Sequence, residues 1–66
     1  MRLLVNGDWT EAPEGETLQA LLARLGIDPR RVAVERNLGI VPKERYAATV
    51  LAEGDRLEIV HFVGGG

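Results

Sequence analysis

Cysteine is absent from the 66 residues, histidine occurs once, and tryptophan, tyrosine and phenylalanine occur once each. Without cysteine there is neither a disulfide framework nor a thiolate metal site. A lone imidazole does not build a metal cluster, and it leaves a Ser-His-Asp arrangement without a spare base. No apolar run approaches the ~20 residues that a membrane span requires. The opening MRLLVNGDWT turns polar too early for a signal peptide, which leads to the expectation of a cytoplasmic protein. No charge of one sign dominates either. Eight basic and 10 acidic residues interleave to a net charge of −2, so no basic stripe for nucleic acid is present.

What is there suits one small domain, since a chain of this length buries only about 60% of its unfolded surface. Residues 2–6 (RLLVN) alternate as a strand, with Leu3 and Val5 on one face and Arg2, Leu4 and Asn6 on the other. Asn6-Gly7 signals a type I′ hairpin, whose central residues both need positive φ, with Gly7-Asp8 as the alternative central pair, and a second strand is expected over Trp9–Ala12. In TLQALLARLG, Leu18, Leu21, Leu22 and Leu25 form one helical stripe. Thr17 is the expected N-cap, with Glu14 and Glu16 near the positive end of the dipole and Arg24 near the negative end. Gly26 is placed for a left-handed stop, Ile27 for packing back on Leu22, and Pro29 blocks continuation.

RVAVERN (31–37) reads as a third strand turning at Asn37-Leu38-Gly39 into a brief pairing through Ile40-Val41. KERYAAT is expected to make at most a helical turn, and Ala52–Asp55 a turn before a last strand, RLEIVHFV. One amphipathic helix must lie across one face of the sheet, with the first and last strands as central neighbours. The expected fold class is α+β: a mixed sheet with one main helix on one face, the β-grasp or ubiquitin-like arrangement. Residues 1–63 form the domain and 64–66 a flexible glycine tail.

As an enzyme the chain is unpromising. His61 has no suitably spaced carboxylate, and Glu53 and Asp55 around Gly54 are explained by a turn. No metal or cofactor is expected to bind. The last strand is more informative, because Leu57 and Ile59 facing the helix leave Glu58, Val60 and Phe62 on the uncovered face. Val60 and Phe62 there read as a docking patch, which Leu4 and Trp9 extend if Asn6-Gly7 makes the turn. A twist or bulge tucking one of them under a loop is the competing reading. The glycine tail reads either as an appended or disordered end without purpose or as a substrate-like appendage. In the latter reading Gly66 would present a carboxylate with no neighbouring Cβ, and three residues reach at most about 10 Å into a cleft.

The stretches VAVERNLGIVPKERY and LAEGDRLEIV, followed by VGGG, resemble the ThiS-type sulfur carriers of thiamine-thiazole biosynthesis. The likeness runs through essentially the whole chain and includes the Asn-Gly hairpin and the TLxxLL helix. It implies a β-grasp carrier that is a substrate of other enzymes rather than a catalyst. It further implies that an E1-like ThiF-type adenylyltransferase uses ATP to adenylate Gly66, with Gly64 and Gly65 threading the partner's cleft. Sulfur drawn from cysteine by a desulfurase then gives a thiocarboxylate, which a ThiG-type thiazole synthase consumes. The neighbouring alternatives are the MoaD-type small subunit of molybdopterin synthase and a carrier for tRNA thiolation. From a different class, a ubiquitin-like protein modifier shares the same tail.

Overall fold

Asn6 and Gly7 hold φ of 49° and 86°, and this pair of left-handed residues folds strand β1 (Arg2–Val5) back onto β2 (Asp8–Glu11). The register joins Val5 to Asp8 across the turn and Leu4 to Trp9 beyond it, which is the pairing the Asn-Gly signal predicts. The structure, a computed structural model, describes residues 1–63. The expected tail, 64–66, lies outside the described residues.

Helix α1 spans Leu18–Arg24. The Thr17 hydroxyl accepts from the Ala20 amide at 3.1 Å, as an N-cap should. The helix ends with the Gly26 amide donating to the Ala23 carbonyl and the Ile27 amide to the Leu22 carbonyl. Gly26 stands at φ 73°, so this is a Schellman stop on the glycine expected for it. Leu18, Leu21 and Leu22 are fully buried, each contributing about 1.5–3 kcal/mol. Leu25 departs from the expected stripe. It is the C-cap residue, where the helix has stopped turning its apolar face inward, and it is exposed. Glu16 lies just before the Thr17 cap, and its buried carboxylate also accepts two hydrogen bonds from Arg24, each at 2.9 Å.

A 3₁₀ turn at Pro29–Arg31 leads into β3 (Val32–Arg36), which pairs antiparallel with β4 (Gly39–Val41). The piece after β4 is longer than expected: a six-residue 3₁₀ segment, Lys43–Ala48, that buries Tyr46. β5 (Arg56–His61) then enters the middle of the sheet, giving the order β2-β1-β5-β3-β4. It runs parallel to β1 and antiparallel to β3. The core lies between this sheet and α1. Leu3, Val32, Val34, Leu57 and Ile59 project from the sheet, and Tyr46 and Leu51 close the side.

Candidate docking face and tail exit

Strand alternation decides what the helix leaves uncovered. Leu3 enters the core, so Leu4 turns to the opposite side and stays half-buried beside its cross-strand partner Trp9. The indole is 55% exposed, and the Arg2 guanidinium sits 4.7 Å from its centroid. On β5, Leu57 and Ile59 are buried while Val60, between Ile59 and His61, is 57% exposed. No bulge disturbs β5, because its register with β3 runs unbroken from Val32–His61 to Arg36–Leu57.

The four residues expected on the open face are therefore not tucked under a loop, but neither do they form one cluster. Leu4 stands in register with Arg56, and Val60 lies four residues further along β5. That is about 13 Å at ~3.3 Å per residue. Arg56 lies beside Leu4 on this side, and Glu58 occupies the intervening position. The face thus carries an apolar pair, Trp9 and Leu4, towards one end and Val60 towards the other. Phe62 follows the last residue of β5 and is 58% exposed. Its ring lies 4.9 Å from the Lys43 ammonium, and its amide donates to the Arg31 carbonyl at 2.9 Å. Beyond it come Val63 and then Gly64 and Gly65, expected to thread a partner's cleft, and Gly66, the expected reactive residue; these three glycines lie outside the described residues.

Sequence reasoning missed what holds the central strand in place. Each hairpin turn begins with a left-handed asparagine whose carboxamide grips β5. Asn6 Oδ1 accepts from the Ile59 amide at 2.6 Å, and Asn6 Nδ2 donates to the Ile59 carbonyl at 3.1 Å. Asn37 Oδ1 accepts from the Arg56 amide at 2.9 Å, and Asn37 Nδ2 donates to Asp55 Oδ1 at 3.0 Å. Asp55 is buried and also accepts from Arg36 Nε and the Ala52 amide, each at 2.8 Å. Burial alone would raise its carboxyl, but the bonds from Asn37, Ala52 and Arg36 outweigh this and hold it below its ordinary value. The Glu53–Asp55 stretch is a turn, as expected, yet Asp55 anchors the start of β5. The available signal was the pairing of an Asn at each turn with an acid entering the last strand.

Among the described residues, no group of three or more His, Cys, Asp or Glu side chains is placed to hold a metal ion. Among the same residues, no helix is long and apolar enough to cross a membrane. His61 is exposed at the end of β5. An open groove of about 420 Å³ lies beside β4, lined by Arg36, Ile40, Pro42 and Arg45 among others.

A five-stranded mixed sheet, with its first and last strands parallel at the centre and one helix across one face, defines a ubiquitin-like β-grasp domain. Within that class the chain belongs to the ThiS family, whose profile matches residues 3–66. The crystal structure of a thiamine biosynthesis protein (ThiS) from Geobacter metallireducens superposes with a TM-score of 0.86 at 33% identity, covering 100% of both chains. The sulfur carrier protein ThiS of Bacillus subtilis is 52% identical over 50 residues, 76% of each chain. A thiazole synthase of Paramagnetospirillum magneticum is 53% identical over all 66 residues, which make up 20% of that protein's length. A second thiazole synthase, from Magnetococcus marinus, is 48% identical over the same span, again 20% of its length.

Proposed function

We propose that this chain carries sulfur for thiazole formation in thiamine biosynthesis, as a substrate of its partners and not as a catalyst. The observation that carries the reading is the family match over residues 3–66, which takes in the glycine tail as well as the domain. The chemistry begins at the Gly66 carboxylate, a poor acyl donor because its charge is delocalised and its leaving group is oxide. An E1-like ThiF-type adenylyltransferase joins a carboxylate oxygen to the α-phosphorus of ATP with loss of pyrophosphate. Sulfide-level sulfur, released by a thiol reductant from the desulfurase's cysteine-derived persulfide, then adds at the acyl carbon, and AMP leaves. The resulting thiocarboxylate presents a soft nucleophilic sulfur. ATP belongs to the activating partner, and this chain supplies the address and the tether.

The thiazole synthase likeness supports a ThiG-type enzyme as the acceptor. A segment similar to this whole chain is part of those proteins, as expected where carrier and synthase act on one another, since joining two partners raises their effective concentration. Gly65 and Gly64 lead Gly66 into each partner's cleft, where the absence of a Cβ permits close approach. The open sheet face, with Leu4, Trp9, Val60 and Phe62, docks the partners. The test is reconstituted thiazole formation with the adenylyltransferase, desulfurase and synthase. The full chain should support it and a chain lacking Gly66 should not; equal product from both would overturn the reading. Offering molybdopterin precursor and tRNA as rival acceptors tests the pathway, and covalent attachment of the chain to protein lysines would indicate a modifier instead.

A further inference from the structure

Three separate pieces of chain meet where β5 ends. The Phe62 amide donates to the Arg31 carbonyl at 2.9 Å, so that carbonyl faces β5. Successive carbonyls of a strand point to opposite sides, so the next one, of Val32, faces the β4 side. There β4 has already stopped: Val41 pairs with Val34, and Pro42 turns the chain away. The position opposite Val32 falls to Lys43, whose ammonium donates to the Val32 carbonyl at 2.8 Å. That same ammonium lies 4.9 Å from the centroid of the Phe62 ring. One cation thus completes the missing rung of β3 and holds the ring of the last residue before Val63 and the glycines.

We infer that Lys43 is a positioning residue for the tail: by clasping Phe62 against the end of β3, it fixes where the chain leaves the sheet on its way to Gly66. The inference rests on the carrier reading. A carrier whose tail leaves from a fixed point presents Gly66 to a partner's cleft in a larger fraction of encounters. Losing the clasp lowers that fraction, which raises the apparent KM for the carrier and leaves kcat in place. An exposed cation–aromatic contact of this kind corresponds to a change of about two- to fivefold. Arginine keeps the donor and the cation, whereas methionine keeps only the apolar stem.

The test compares the full chain with Lys43→Met and Lys43→Arg in two readouts. Amide exchange at Phe62, measured by NMR, needs no partner and should quicken about two- to fivefold in Lys43→Met, with arginine restoring it. Steady-state activation by the E1-like partner should show KM raised by a similar factor in Lys43→Met at unchanged kcat, again with rescue by arginine. In a Phe62→Leu background the Lys43→Met change should add nothing. Unaltered exchange overturns the inference, as does altered exchange with unaltered KM. A KM effect that persists in the Phe62→Leu background also overturns it, because Lys43 would then be touching the partner directly. Failure of the unsubstituted chain to acquire sulfur refutes the carrier reading instead, and the exchange result still reports on the clasp.

Discussion

The side chain of Asn6 and the backbone of Ile59, 53 positions apart in sequence, are joined by a reciprocal pair of hydrogen bonds at 2.6 and 3.1 Å. The carboxamide stands in for a peptide group and carries the parallel β1–β5 pairing one step past the end of β1. It does so from a left-handed residue, φ 49°, that also makes the hairpin turn. Asn6→Ala should therefore lose both the clasp and the tolerance for that φ. About 2–3 kcal/mol of stability is expected to disappear in chemical denaturation. A loss below about 0.5 kcal/mol, the size typical of an ordinary surface change, would contradict it.

Asp55 makes stability depend on acid. Its folded carboxyl, like that of Glu16 paired with Arg24, titrates below its ordinary value. Such groups contribute fully above the unfolded carboxyl range near pH 4, and that contribution fades as pH falls through the folded values. Denaturation free energy should thus fall as pH drops below about 4. The fall should be shallower in Asp55→Asn, which has no charge to lose. An identical slope in both proteins would show that Asp55 does not set the acid limit.

Leu38 occupies a position better suited to glycine. It stands at φ 74° at the tip of the β3–β4 hairpin and is 78% exposed, so it has little packing to offset the strain. Leu38→Gly should stabilise the chain by about 0.5–1 kcal/mol, because relief of the left-handed strain exceeds glycine's extra unfolded freedom. Thermal or urea unfolding measures this, and destabilisation would contradict it.

Val60 tests the docking face with little risk to the fold, because its side chain contributes little to the core. Val60→Asp should move stability by no more than about 0.5 kcal/mol. It should lower the efficiency of adenylation or of thiazole formation by at least about fivefold, the effect of removing a binding residue worth more than 1 kcal/mol. Phe62→Asp should act in the same direction. Unchanged rates in both steps for both variants would remove the face from the docking account.

Most of the framework was legible because its determinants are local. The TLQALLARLG stripe, the Thr17 cap and the Gly26 stop lie within a few residues of one another, and Asn6-Gly7 specifies a turn with no outside help. Leu25 was misplaced because helical periodicity does not say where the last turn begins to open. The Lys43–Ala48 segment was underestimated because the burial of Tyr46 against the side of the core is a tertiary contact with no periodic trace. The bonds from Asn6 and Asn37 to β5 and its entry, and that from Arg36 to Asp55, were invisible for a related reason: they join residues 18 or more positions apart, and only the arrival of β5 brings them together. The same register separated Trp9 and Leu4 from Val60, which alternation alone had placed together.

The central claim is that Gly66 carries the sulfur, and intact mass spectrometry tests it most directly. The chain is incubated with an active E1-like partner, ATP and a cysteine-desulfurase sulfur source, and its mass is compared with that of a chain lacking Gly66. The account predicts replacement of one oxygen by sulfur at the Gly66 carboxyl of the full chain and no change in the shortened one. An unchanged mass in the full chain, or sulfur on any other residue, would contradict it.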